Sequence, residues 1–522
     1  MEKTNKNYKK INPKELPKRF DYLLKEDFWR NEWETNNIYS RSKNQAREKS
    51  FVIDSPPPTV SGSLHVGHIF SYTHQDIIAR YKRMQKFNVV YPMGWDDNGL
   101  PTERRVQNIF GVRIDNNVSY IEKLNVEKEK KRLGLDKDTP LIINRQNFIE
   151  MCHIVTAQDE IVFKDLFRKM GYSIDWKDEY ATIDNRSRRI SQQSFIDLFE
   201  KKHIYQYESP TMWDIDFQTA VAQAEIEDRE TPGAYHDIRF TIEDSEKDLI
   251  ISTTRPELLG SCVGITAHPD DERYKHLFNK KAISPIFFAP VPIFPSKLVD
   301  MEKGTGILMV CTFGDQTDVI WWRENSLPLR QLFGSNGKVL NINYENEESS
   351  SNWISINPDK ANKNISKLYE KSLKQSKDII IDMLRDSDNS LNNKEPLVSE
   401  PKIISHPVRY YEKGDSPIEY LSSRQWFVKI TDKKKDLLRM GEKIKWHPDY
   451  MSKRFENWTE NLAIDWCISR QRFFGVPIPV WYRTDDKGEV NYNDVILPNI
   501  SDLPIDPDID TPNEFQEIDR GK

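Results

Sequence analysis

Cysteine is scarce in this sequence: four residues in 522, at Cys152, Cys262, Cys311 and Cys467, with no C-x-x-C pair among them. That spacing excludes a structural zinc knuckle and a disulfide framework, and suits a reducing compartment. Long apolar runs are missing as well. The basic opening "MEKTNKNYKKINPKELPKRF" has no hydrophobic centre of the kind a signal peptide needs, and no later stretch is apolar enough to span a bilayer. There is no excess of positive charge: 76 Lys and Arg stand against 82 Asp and Glu, a net charge of −6. A negative total excludes little about nucleic acid, because binding needs a local basic surface rather than a basic sum. Array-type repeats are absent too; the short echoes "SRQW" (423–426) and "SRQR" (469–472) do not form a period. These absences leave a soluble, cytoplasmic chain without a membrane partner as the expectation.

What is present is enough for two to four domains, with 37% apolar and 30% charged residues. Residues 1–50 read as an arm ending in amphipathic helix, where "FDYLLKEDFWRNEWETNNIY" sets Leu23, Phe28, Trp29 and Trp33 along one stripe. From Phe51 a short β-type run, "FVID", is followed by a proline-rich elbow. A helix with Phe70, Ile77, Tyr81 and Met84 along one face comes next, and then a second run, "FNVVYP". Strand, helix, strand is the unit of a parallel sheet, in which ligands sit beyond the carboxyl ends of the strands. Residues 51–210 are therefore expected to form the first half of an α/β core, mostly helical from 141 onward. Residues 211–405 form a β-rich insertion ("HDIRFTI", "DLIISTT", "GILMVCT") that ends in a polar, mobile return linker. Residues 406–522 bring back the core.

The chemistry concentrates first in "SPPPTVSGSLHVGHIFSYTHQDIIARY" (55–81). A helix amino terminus exposes unpaired N–H groups and the positive end of the helix dipole, so it attracts phosphate. His65 and His68 at that terminus can add donors as charge builds on a phosphate. Gly67 between them clears space for a flat base against the backbone. The prolines make a stiff, apolar wall. Taken alone, H-x-G-H reads equally as two surface histidines beside a turn. The stretch "YPMGWDDNGLPTERRVQ" (91–107) places Asp96 and Asp97 at the end of the second strand. A carboxylate there can hold an ammonium group or simply cap a helix.

The two stretches together, in this order, resemble the class I aminoacyl-tRNA synthetases. "HVGH" is similar to that family's HIGH signature, and "GWDDNGLPTE" to the segment after its next strand. Within the family the form "PPPTVSGSLHVGH" resembles the valine-specific branch, and "WDDNGLPTERRVQ" its archaeal type. Asp97-Asn98 stands where the isoleucine-specific branch has a Cys-His pair. The resemblance runs over residues 15–490. It implies a Rossmann-type parallel-sheet catalytic domain interrupted by a β-rich editing domain, acting as a monomer on valine, tRNA(Val) and ATP with Mg2+, with no bound zinc. Carried over residue by residue, Pro56 and Pro57 line the amino-acid pocket, Asp96 binds the α-amino group, and Thr59, His65, Gly67 and His68 contact ATP. Trp466, in "WCISRQRFFGVPIPVWY" (466–482), closes the pocket. As a residue type it serves equally as a core tryptophan.

An apolar pocket that admits valine rejects near-isosteric threonine by only about a hundredfold, a figure that belongs to this family and not to this chain. A second, hydrolytic site is thus expected. "STTRPELLG" (252–260) resembles the family's editing strand end, with Thr253, Thr254, Arg255 and Glu257. "GTGILMVCTFGDQTD" (304–318) resembles its partner loop, where Asp315 and Asp318 carry over. One carboxylate would hold the substrate's ammonium while the other orients water or binds the threonine hydroxyl. Met309 and Gly314 stand where a lysine and a histidine are common, so no base carries over from those positions. D-x-x-D ahead of a helix is also an ordinary capping pattern. The family's KMSKS loop is not found; "YMSKRF" (450–455) precedes "WCISRQ" and reads as part of a surface helix. The sequence is accordingly expected to be the amino-terminal part of a longer enzyme, with two alternatives: the isoleucine-specific relative, and a chain that only deacylates mischarged tRNA.

Overall fold

The computed structural model describes residues 13–15, 18–60, 64–243, 245, 247–412 and 414–511. The first twelve residues of the basic opening, the Ser-Gly-Ser turn at 61–63 and the closing "PNEFQEIDRGK" lie outside the described residues. The chain divides into two compact units, one of residues 1–196 with 472–522 and one of residues 197–471.

The first unit opens with α1 (Tyr22–Thr35), capped by the Asp21 carboxylate. Its stripe is largely uncovered: Leu23, Phe28 and Trp29 are at least half exposed. Trp33 is partly buried and stacks edge-on with Tyr39 at 5.9 Å. The expected strand–helix–strand unit follows: β1 (Ser50–Val52), α2 (Val66–Met84) and β2 (Asn88–Val90). β1 and β2 pair in parallel, Ser50 to Asn88 through Val52 to Val90. β3 (Met93–Trp95), α3 (Leu100–Phe110), β4 (Val112–Ile114), α4 (Val126–Leu133), β5 (Leu141–Ile143), the long α5 (Arg145–Lys169), β6 (Glu179–Ala181) and α6 (Asn185–Glu200) come next. β3 pairs in parallel with β6, and β4 with β5.

α2 buries a different face from the one its apolar residues suggest. Phe70, Ile77, Tyr81 and Met84 are 65, 60, 56 and 83% exposed, while Tyr72, Asp76 and Ala79 are buried. A buried carboxylate is tolerable only when fully hydrogen-bonded. Asp76 meets that condition: it accepts from Arg80 Nε at 2.7 Å and from the backbone N–H and the hydroxyl of Ser173, each at 2.6 Å. Beneath it Phe167 is wholly buried among Tyr72, Trp95 and Tyr172.

The second unit begins inside α6 and is built on antiparallel pairing. β7 (Ile204–Asp214) leads through β8 (Thr219–Ala220) to β9 (Ile226–Ile242), a strand of 17 residues that changes partner midway. Its first part pairs with β15 (Lys402–Tyr411) up to Tyr235, and from His236 on it pairs with β10 (Asp248–Thr253). β11 (Cys262–Ala267), β12 (Lys281–Ile283), β13 (Pro290–Pro295) and β14 (Ile307–Cys311) complete that sheet, followed by α7 (Gln316–Glu324), α8 (Pro358–Ile365) and α9 (Leu373–Leu384). The polar stretch expected as periphery and return linker is instead built into the core. Ile365, Leu368, Ile380, Met383, Leu384 and Leu397 are at most 7% exposed and pack in the same cluster as Ile238, Ile251 and Ile265. A few correctly spaced apolar residues suffice to seat a helix that is otherwise polar.

β16 (Glu419–Val428) pairs with β7 over ten residues, from Glu419–Trp213 to Val428–Ile204. This ladder places residues 197–210 and 406–471 in the second compact unit, outside the 211–405 span read for the insertion. α10 (Lys434–Gly441), α11 (Met451–Glu460) and β17 (Trp466–Cys467) end it, and the chain returns to the first unit with the hairpin β18 (Trp481–Thr484) and β19 (Val490–Ile496).

The core beneath α2, where Phe167 of α5 sits, and the exposed face of α2 give a test by urea denaturation. Phe167→Ala, which removes a ring with no exposed surface, is expected to cost about 3–5 kcal/mol. Phe70→Ala, on the exposed face, is expected to change stability by no more than about 0.5 kcal/mol.

Candidate functional site

In the first unit the proline elbow is fixed from two sides. Tyr72 Oη, on α2, donates to the Pro56 carbonyl at 2.7 Å, and the Ser55 hydroxyl meets Gln75 of the same helix. On the other side the backbone of Asp96 is clamped: its N–H donates to Pro58 O at 3.0 Å and its carbonyl accepts from Val60 N–H at 2.8 Å. Proline cannot donate, so Pro56, Pro57 and Pro58 offer carbonyls alone. The Asp96 carboxylate then receives the Thr59 hydroxyl at 3.2 Å and lies 3.3 Å from the Thr182 hydroxyl, which sits nearer Asn98 Oδ1 at 2.6 Å. Thr59 and Asp96 thus meet, 37 positions apart.

His65 is the N-cap of α2. Its Nδ1 accepts from the Gly67 N–H at 3.1 Å, while Nδ1 of His68 accepts from the His65 N–H at 3.3 Å. The rings lie 4.1 Å apart. With both Nδ1 atoms accepting, each neutral imidazole carries its proton on Nε2 and presents a donor. Burial, and then the neighbouring His65, hold the His68 pKa below the usual histidine value, which favours that neutral form. Gly67 has a structural reason of its own: a Cβ there would stand 2.8 Å from Cε1 of the His65 ring. The space over Gly67, expected to receive a base, is taken by that imidazole.

Two carboxylates here were not singled out as site residues from sequence. Asp97 is 1% exposed, and burial, then Glu160, push its pKa up to about 8. Glu103, on α3, accepts from the N–H groups of Phe473 and Phe474 at 3.0 and 2.9 Å. It joins "GLPTE" to "RFFG", and the only signal for it was a carboxylate inside the quoted motif. Trp466 belongs to the second unit, where it pairs with Val428 at the sheet edge and is 54% exposed. A cleft of about 460 Å3 in the first unit, against Arg145, His153, Arg188 and Phe474, takes in none of the predicted site residues.

In the second unit the two patches are joined by Arg255. Its Nε donates to Glu257 at 3.0 Å, Nη2 to both oxygens of Glu419 at 2.9 Å, and Nη1 to the Gly314 carbonyl at 3.3 Å. The Arg255 side chain is therefore committed within the protein. Thr253, opposite His236, accepts the Arg255 N–H on its hydroxyl at 3.0 Å, and the Thr254 carbonyl accepts from Lys377 of α9 at 3.0 Å. Neither His236 nor Lys377 is adjacent in sequence to the patches, so no motif disclosed them.

Asp315 and Asp318 form a capping box on α7. Asp315 Oδ1 accepts from the N–H groups of Thr317 and Asp318, at 2.7 and 3.1 Å. Asp318 is 7% exposed and takes three backbone donors, from Cys311 at 3.1 Å, Gly314 at 2.8 Å and Asp315 at 3.1 Å. Burial, followed by Asp315, raises its pKa to about 7 against the pull of those donors. Asp315 is exposed.

The sequence matches the family model described as tRNA synthetases class I (I, L, M and V) over residues 28–501. The chain belongs to that family. Curated relatives include a protein named valine–tRNA ligase from Thermobifida fusca, 46% identical over 498 residues, covering 95% of this chain and 54% of the relative. Another of that name, from Salinispora tropica, is 45% identical over 501 residues, covering 95% and 56%. The chain thus spans a little over half the length of these relatives. Among solved structures, a leucyl-tRNA synthetase in a ternary complex with tRNA and LeuAMS, from Agrobacterium radiobacter K84, shares 17% identity with a TM-score of 0.37, over 93% of this chain and 53% of that one. That likeness is too slight to bear on either unit.

An acid whose pKa is raised on folding stabilises the fold fully below its unfolded value, about 4, and that contribution is lost as pH rises through its folded value. For Asp318 the window runs from about 4 to about 7. The stability advantage of the wild type over Asp318→Asn is therefore expected to shrink by a few kcal/mol between pH 4 and pH 8 in urea titrations. A gap that widens instead would mean that the three backbone donors keep this carboxylate ionised.

Proposed function

We propose that this chain carries the amino-acid, ATP and editing surfaces of a valine–tRNA ligase. In the reaction one oxygen of the valine carboxylate attacks the α-phosphorus of ATP, and pyrophosphate leaves with Mg2+ accompanying it. A hydroxyl of the terminal ribose of tRNA(Val) then attacks the carbonyl of valyl-adenylate, and AMP leaves. The observation that carries the reading is the clamp around Asp96, which sets a carboxylate at the carboxyl end of β3 against the proline elbow. Asp96 binds the ammonium, and Pro56 and Pro57 give the side chain an apolar wall. The Nε2–H groups of His65 and His68 at the amino terminus of α2 donate to the phosphates as negative charge shifts toward the leaving group. Thr59 completes the ATP side.

For editing, the capping geometry supports different roles for the two aspartates. Asp315, exposed and with its second oxygen directed to no backbone donor, receives the ammonium of a threonyl ester. Asp318 holds the loop in shape with its three backbone bonds. Thr253 and Thr254 face the acyl group. The names of the relatives and the retention of both ATP-facing motifs support a ligase over a pure deacylase. The chain acts as a cytoplasmic monomer in this reading.

The test is amino-acid-dependent ATP–pyrophosphate exchange with valine, isoleucine, leucine and threonine, run beside deacylation of Thr-tRNA(Val). Valine should lead the exchange. His68→Ala is expected to lower its kcat about a hundredfold or more while leaving deacylation intact. Asp96→Ala should raise the KM for valine by about thirtyfold or more, the cost of an unpaired ammonium. Exchange led by isoleucine, or deacylation no faster than that of Asp315→Ala, would overturn the corresponding half of the proposal.

A further inference from the structure

The helical hairpin α10–α11 of the second unit takes no part in either site, yet it is locally basic and exposes aromatic rings. Residues 429–460 hold nine lysines and arginines against six aspartates and glutamates, within a chain of net charge −6. The inner side is well fixed. Phe455 of α11 lies against Gly441, where an added Cβ would come within 2.5 Å of its ring, and stacks on Trp446 at 5.5 Å. Trp446 Nε1 donates to the Gly441 carbonyl at 3.0 Å, and Thr459 is fully buried. The outer side is the opposite. Tyr450, the N-cap of α11, is followed at steps of four by Arg454 and Trp458 on one face of the helix, and all three are exposed, the two rings by 69 and 51%.

Several of the charges are spent locally: Arg439 pairs with Asp436, Lys453 with Glu456, and Lys434 donates to the Glu460 carbonyl. Among the described residues Lys435, Lys443, Lys445 and Arg454 have no ion-pair partner, and all four are exposed. Unpaired cations on the same hairpin as exposed aromatic rings are what a single-stranded nucleic acid needs: lysine and arginine for phosphate, and π faces for any base. A neutral or basic polypeptide partner would gain from the rings but not from four uncompensated positive charges.

We propose that the outer face of α10–α11 is an RNA-docking surface, with Lys435, Lys443, Lys445 and Arg454 on phosphates and Tyr450 and Trp458 stacking on unpaired bases. The assignment rests on the reading of a tRNA substrate and names the surface of this chain that receives it.

Binding of a tRNA(Val) transcript to the full chain, followed by fluorescence anisotropy across a salt series, tests it. The combined variant Lys435→Gln, Lys443→Gln, Lys445→Gln and Arg454→Gln should bind at least tenfold more weakly at 0.1 M salt. Its plot of log affinity against log salt should be shallower by about 3, since each lost phosphate contact removes about 0.7–0.9. The pair Tyr450→Ala with Trp458→Ala should weaken binding about tenfold with the salt slope unchanged, because stacking releases no counterions. All six positions are exposed, and unchanged melting of the variants confirms that they fold. Tight wild-type binding with neither variant altered overturns the hairpin assignment and leaves the RNA substrate standing. No saturable binding by the wild type overturns both.

Discussion

The backbone of Asp96 is hydrogen-bonded in both directions to the proline elbow, through Pro58 O and Val60 N–H, and the geometry of the first unit's site follows from that clamp. Without it the carboxylate at the end of β3 and the apolar wall before α2 would be two independent loops. With it, and with Tyr72 tying Pro56 to α2, the strand end, the elbow and the helix that carries His65 and His68 form one connected body. Preorganisation of this kind costs folding energy once and spares it at each binding event. The buried network around Asp76, Ser173 and Arg80 adds polar contacts to the apolar packing of Tyr72 and Ala79 that seats the helix.

The second unit solves the same problem with a different device. A guanidinium is planar and always charged, and its fork can satisfy two carboxylates and a carbonyl together. Arg255 does this with Glu257, Glu419 and Gly314, so residues far apart in sequence are brought to one place. The pairs are strongly desolvated on the carboxylate side, with Glu419 and Glu257 at 5 and 9% exposure, so removing one partner would leave a buried charge uncompensated, at about 3–5 kcal/mol. Arg255 therefore works as a keystone. His65 and Asp315 also join backbone and side chain locally, each capping a helix.

Much of this was legible because the motifs are local. His65, Gly67 and His68 lie within four residues, and one helix start explains their spacing; Asp315 and Asp318 are likewise a cap before α7. The β-rich insertion was readable from alternation in "HDIRFTI" and "DLIISTT", which become β9 and β10. Other features were not legible. The buried face of α2 includes Asp76, a residue that hydropathy assigns to water and that its partners across the unit hold inside. The polar segment after 357 looked like a linker, because its few apolar residues disclose a core contact only once α8 and α9 are placed.

By itself the sequence determined the motifs, their order, the parallel strand–helix–strand unit, the β-rich insertion and the family. Each of these depends on residues close together in the chain or on a pattern repeated along it. Only the tertiary structure decided that Thr59 meets Asp96, that Glu103 receives the amides of Phe473 and Phe474, that Lys377 reaches Thr254, and where the second unit begins and ends. Those contacts join residues from tens to hundreds of positions apart. No local propensity encodes such a distance; it is fixed by strand register and side-chain packing, which exist only when the chain has closed on itself.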